Sequence, residues 1–141
     1  MARWLAFWIA LLAVPSAADE GLPDHAALKT EIVVISPARL VPSVMVVADT
    51  EAFGWLNYAA RDAAISFPVE ITRRMACKGP SPFRVDGPRL VAEPVTTGNF
   101  ATLCKLQPGV YEYRVEIAGR SDPLLGKLVV PEAEAPLPPA E

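Results

Sequence analysis

The chain has 141 residues, 13 of them basic and 16 acidic, with two cysteines and one histidine. A net charge of −3 without any basic run argues against nucleic acid or anionic lipid as a partner, and this length suits one domain large enough to bury a core. A lone histidine also leaves little room for metal centres built on imidazole or for a nucleophile with a neighbouring base.

The N-terminus reads Met1-Ala2-Arg3-Trp4 and stays apolar to Val14, then runs Pro15-Ser16-Ala17-Ala18 into the acidic pair Asp19-Glu20. A positive start, a short apolar stretch and small residues at Ser16 and Ala18 predict a secretory signal over residues 1–18, cleaved after Ala18. A membrane anchor would need roughly 20 apolar residues, and residues 4–14 are too few. No cysteine stands at the cleavage point for lipidation. The expected product is therefore periplasmic or secreted, with no membrane insertion once the signal is gone. Its loss removes Arg3 alone among the charged residues, leaving 12 basic against 16 acidic, or −4.

Residues 19–29 are polar and irregular, with Gly21, Pro23 and His25, and form a lead-in segment. His25 has no partner at metal-ligand spacing and reads as a solvated loop residue. From Thr30 the pattern becomes short β-rich runs split by turn residues, the signature of an all-β sandwich. The predicted strands cover 31–36, 43–48, 53–57, 64–71, 90–93, 100–106, 110–118 and 126–130, about eight in one domain spanning 30–130. The clearest is residues 110–117, where Tyr111, Tyr113, Val115 and Ile117 alternate with Glu112, Arg114 and Glu116, giving one dry and one wet face. Prolines mostly fall between runs, where a missing N–H costs no ladder bond. Pro68 falls inside one and predicts an edge strand or a bulge. Helical stretches at 59–64 or 72–77 would be too short to matter. Residues 131–141, rich in proline and acid, are expected to be a disordered tail.

Export places Cys77 and Cys104 in an oxidising setting where disulfides persist. A Cys77–Cys104 bridge would add roughly 3 kcal/mol by constraining the unfolded chain. Two separately buried thiols, or a metal or redox role, are the alternatives.

Two segments carry a resemblance. One is Gly54-Trp55-Leu56-Asn57 with its following loop and the strand to Phe67. The other is Pro108-Gly109-Val110-Tyr111-Glu112-Tyr113, followed by Gly126-Lys127-Leu128-Val129-Val130. Together they resemble the cupredoxins, small copper-binding Greek-key β-sandwiches, over roughly residues 30–130. Independently of the family, Pro108-Gly109 builds a tight turn, and Tyr111 behind it resembles a tyrosine corner, whose hydroxyl ties down the crossing loop.

A type 1 copper site takes two imidazoles, a thiolate and a weak axial thioether. On the family pattern, the first histidine position falls at Ala63, the cysteine at Val115, the second histidine near Ala118 and the axial methionine at Leu124 or Leu125. None is a ligand, and Cys104 lies on the preceding strand. The expectation is a cupredoxin-like domain with no metal ligands at these positions and no catalytic residues, acting as a non-enzymatic accessory or binding module for another periplasmic or envelope protein. The loops 59–64 and 117–125 would offer it a mostly apolar end surface. The alternative is a copper or redox protein using Cys77, Cys104, Met45 and Met75 as soft sulfur donors, and copper remains the cofactor to test. A third reading is a structural domain tethered by its acidic tail.

Overall fold

Tyr113, Val115 and Ile117 are buried and Glu112, Arg114 and Glu116 are exposed, as the alternation in this run predicts, so the longest strand among the described residues has one face in the core. The computed structural model describes residues 30–47, 52–77 and 81–133. The expected signal at 1–18, the lead-in with His25 and residues 134–141 of the tail lie outside them.

Twelve strands are present among the described residues: β1 (Thr30–Ile35), β2 (Leu40–Val41), β3 (Val44–Val46), β4 (Ala52–Asn57), β5 (Ala63–Pro68), β6 (Met75–Ala76), β7 (Phe83–Asp86), β8 (Arg89–Ala92), β9 (Phe100–Leu103), β10 (Lys105–Leu106), β11 (Gly109–Ile117) and β12 (Leu124–Val130). They form a four-stranded sheet in the order β2-β1-β4-β9 and a six-stranded sheet in the order β3-β12-β11-β5-β8-β7, with β10 and β6 as a separate short pair. The chain passes repeatedly from one sheet to the other, so β4 pairs in parallel with β1 and β12 in parallel with β3. The remaining neighbours are antiparallel, and the whole is an all-β sandwich.

The core is built around Trp55. Its ring lies edge-on or tilted against Phe53, Phe67, Phe83 and Tyr113, with centroids 5.9, 5.7, 5.8 and 5.3 Å away. Phe67, Phe83 and Tyr113 belong to the six-stranded sheet, so one indole from β4 clasps the two layers together. Contacts of this kind each add about 0.5–1.5 kcal/mol beyond the area they bury. Tyr113 lies directly opposite Gly126 on β12, and its ring occupies the space a side chain there would need. A Cβ on Gly126 would sit 2.1 Å from Tyr113 Cζ.

The tyrosine corner is present. The Tyr111 hydroxyl donates to the Gln107 carbonyl at 2.6 Å, fastening the loop that leads into β11. Cys77 and Cys104, 27 positions apart in sequence, are joined by a disulfide with Cα atoms 5.0 Å apart. The bridge adjoins the β6–β10 pair, in which Leu106 faces Met75 and Lys105 faces Ala76.

Four strands exceed the eight expected. β2 and β6 are two residues long and too short for periodicity to reveal, and β10 is the end of the predicted run 100–106, which breaks at Cys104. β7 is an edge strand whose Arg84, Val85 and Asp86 are all exposed, so it has no apolar alternation. Its signal was the turn: Asp86 pairs with Arg89 across a two-residue loop of Gly87 and Pro88, and Gly87 takes the positive φ of 55° that such hairpins demand. Pro68 ends β5, which is a central strand and not an edge. The predicted strand 64–71 stops there because the chain turns into a 3₁₀ segment, Val69–Arg74, directly after the proline. That segment overlaps the short helical stretch expected at 72–77, while residues 59–64 hold no helix.

Gly126→Ala should lower stability by about 1–3 kcal/mol, the range of an overpacked core, and chemical denaturation would register it as a lower midpoint. A wild-type midpoint would mean that Tyr113 does not occupy the glycine's space. Burial raises the Tyr113 pKa above the ordinary 10.0, with the neighbouring Trp55 indole partly opposing the shift. The folded state then holds this proton more tightly than the unfolded chain, so the stabilisation is complete below pH 10 and is lost as pH rises through the raised value. Unfolding midpoints followed upward from pH 10 should therefore fall more steeply in the wild type than in Tyr113→Phe. Equal slopes would contradict this.

Candidate functional site

The end of the sandwich where β4, β5 and β11 deliver their loops is organised by one amide. Asn57, the last residue of β4, is fully buried. Its Nδ2 donates to the carbonyls of Arg61 at 2.9 Å and Val95 at 2.7 Å, and its Oδ1 accepts from the Ala59 N–H at 2.8 Å. The Asn57 backbone N–H donates to Asn99 O, and its carbonyl accepts from the Gly98 N–H. Thr97 Oγ1 adds a bond to the Ala59 carbonyl at 2.6 Å. The loop 58–62 is thereby fixed to the loop 94–99, and both Asn57 donors and its acceptor are satisfied.

The third loop, 118–123, is tied to its neighbours in the same way. The Ala118 N–H donates to Asp62 O, and the Arg120 N–H to Ile117 O. The Arg120 side chain reaches Asp122 O through Nε and Pro37 O through Nη1, both at 2.9 Å.

The aligned ligand positions differ in burial. Ala63 is fully buried on β5, exchanges backbone hydrogen bonds with Val95 and lies opposite Ile117. Val115 is fully buried between Ile65 and Leu124. Of the two candidates for the axial position, Leu124 faces inward, whereas Leu125 points out and is 68% exposed. Ala118 is at the surface. Three of the positions thus belong to a closed apolar interior and the fourth to an exposed turn.

The end surface is not mostly apolar. Ala59, Ala63 and Ile117 are withdrawn into the core, and the side chains left outside include Arg61, Asp62, Glu116, Arg120 and Asp122 beside Tyr58, Ala60 and Ala118. A shallow cleft of about 660 Å³ there is lined by Asp62, Glu116 and Arg120 together with Pro94, Ala118 and Pro123. Hydrophobic alternation assigned the small residues at this end to a surface because it could not show which of them the strand ends would bury.

The soft-sulfur alternative finds its residues apart. Cys77 and Cys104 are in the bridge, which adjoins the chain leading into β11, whereas Ala63 lies opposite Ile117 at the strand's far end. A strand of nine residues spans about 30 Å, so the disulfide and the aligned ligand positions are at opposite poles. Met45 is buried opposite Leu128, and Met75 packs against the core edge. Among the described residues, no three His, Cys, Asp or Glu side chains come together as metal ligands.

No protein-family model matches the sequence, and no curated protein does either. Solved structures do. The chain is similar to a mutant amicyanin in its reduced Cu(I) form at pH 4, with a TM-score of 0.52 and 17% identity over 72% of this chain and 81% of that one. It is also similar to amicyanin from Paracoccus versutus (Thiobacillus versutus), with a TM-score of 0.53 and 16% identity over 81% of this chain and 88% of that one. At such identities the likeness establishes the fold alone.

That fold implies copper, and the residues present do not fit it. A methyl group, two branched aliphatic chains and an exposed alanine supply no imidazole, thiolate or thioether at the four positions, and the cross-strand partners of Ala63, Val115 and Leu124 are Ile117, Ile65 and Val115, all apolar. The loops around these positions are framed by hydrogen bonds, above all those of the Asn57 amide. Replacing Asn57 by Ala strands the Ala59 N–H, while the Val95 carbonyl keeps its bond from the Ala63 N–H; a buried group left without a partner costs about 1–3 kcal/mol. Denaturation should show a loss in that range, and hydrogen exchange should show faster exchange of the Ala59 amide; an unchanged Ala59 rate would refute the role given to the amide. The chain is a β-sandwich with the cupredoxin-like fold.

Proposed function

We propose that this protein is an exported cupredoxin-like domain without a conventional type 1 copper site, acting as a non-enzymatic binding or accessory module for another protein of the periplasm or envelope. The observation that carries the reading is the filling of the aligned ligand positions by Ala63, Val115, Ala118 and Leu124 while the loops around them keep their hydrogen-bonded frame. Side chains that cannot bind a metal, framed by loops that are held in place, suit a domain that acts through its surface.

The outer face of the four-stranded sheet supports the same reading. Val41, Val34, Leu56 and Phe100 stand side by side across β2, β1, β4 and β9. Phe100 is 69% exposed, and Ile32 and Tyr58 extend the patch. A contiguous exposed apolar patch is one of the surface features that mark interaction sites. Among the described residues lining the cleft beside Asp62, Glu116 and Arg120 there is no imidazole or thiolate. Among the described residues, no helix is long and apolar enough to cross a membrane.

Copper(II) added to the purified, signal-cleaved protein should produce no intense thiolate-to-copper charge-transfer band, and thiol titration before reduction should find no free cysteine. A strong band that disappears in Cys104→Ser would overturn this reading in favour of the sulfur-based copper site.

A further inference from the structure

Arg89, Arg114 and Lys127 are far apart in sequence and form no basic run, but the six-stranded sheet gathers them on its outer face. Arg114 on β11 is flanked by Ser66 on β5 and Leu125 on β12. Lys127 on β12 lies between Glu112 and Val44, and Arg89 on β8 faces Pro68 at the end of β5. These three cations line one hollow of about 410 Å³, with Val44 and Leu125 as its apolar wall and Glu112 as its one carboxylate. Glu112 is 3.4 Å from Lys127 and largely exposed. Three cations against one acid concentrate two positive charges in a chain whose net charge is −3.

The two arginines differ in a way that suits ligand binding. Arg89 is held in place: its Nε and Nη2 donate to Ser66 Oγ at 3.0 and 2.6 Å, and Nη2 also donates to Ser66 O at 3.1 Å. Ser66 is itself buried, one of the two buried polar residues among those described. This clamp occupies one edge of the guanidinium and leaves the Nη1 amine for another acceptor. The ion pairs among the described residues are Arg84–Glu93 and Lys127–Glu112, so Arg114 has no carboxylate partner there. One oriented and one uncommitted guanidinium around a hollow are the elements of bidentate oxyanion recognition.

We propose that this hollow binds an oxyanion, either a phosphate or the carboxylate of a small organic acid. Arg89 and Arg114 grip the charged group, Lys127 supplies a point charge, and Val44 with Leu125 covers the attached carbon chain. The site is on a different sheet from the apolar patch described above and stands whether or not that patch has a partner.

Arginine Nε–H signals of the signal-cleaved protein, followed by nuclear magnetic resonance at low ionic strength, would test it with three titrants: inorganic phosphate, glutarate, and sodium chloride at matched ionic strength. Phosphate or glutarate should shift the Arg89 and Arg114 signals saturably, and the tighter of the two identifies the source of the oxyanion. Arg114→Gln should weaken binding about tenfold or more, Arg89→Lys should weaken it although the charge is kept, and Glu112→Gln should tighten it. Arg61→Gln, at the loop end, should change nothing. Shifts that chloride reproduces would overturn the proposal and leave a merely solvated face, as would unaltered affinity in a folded Arg114→Gln protein.

Discussion

The Asn57 amide is the constraint on which the loop end depends. A strand that leaves one sheet and feeds the other must cross the rim of the sandwich, where backbone groups are buried without a ladder to satisfy them. Asn57 supplies two donors and one acceptor from a single fully buried side chain and so joins two loops that are 38 residues apart. A hydrophobic residue of similar size would fill the volume and satisfy none of these groups. With that frame in place, Ala63 can pair with Val95 and the 118–123 turn can settle on Asp62.

Trp55 plays the corresponding part in the core. It lies two residues before Asn57 on the same strand, so both side chains point inward. One makes the aromatic contact between the sheets and the other closes the rim above it. The Trp55 indole N–H and the Tyr113 hydroxyl are both buried without an aligned hydrogen bond, and that environment is why the Tyr113 proton is held so tightly. The phenol keeps its position because Gly126 yields it the space.

Much of this was legible in the sequence because period-two patterning and turn chemistry report on local structure. The alternation from Val110 to Ile117 gave the buried face of β11, and Pro108-Gly109 with Tyr111 gave the corner. The motif around Trp55 and Asn57 led to the correct fold, and the two cysteines led to the bridge. What stayed hidden was non-local. Val85 on an outer strand carries no alternation. The burial of Ala59 and Ala63 is decided by loops brought in from elsewhere, which is why the end surface is charged where small residues suggested an apolar one. Arg89, Arg114 and Lys127 became a cluster only when three strands aligned, since register brings together residues that the sequence keeps apart.

The strand β11 connects two differently fastened poles. One end is secured covalently, near the disulfide and the Tyr111 corner, and the other by the amide frame of Asn57. A reductant acts on the first and has nothing to cleave at the second. The molecule thus keeps its sensitivity to thiol chemistry about one strand length away from the loops it displays, and a change in redox surroundings would loosen its base before it altered its crown.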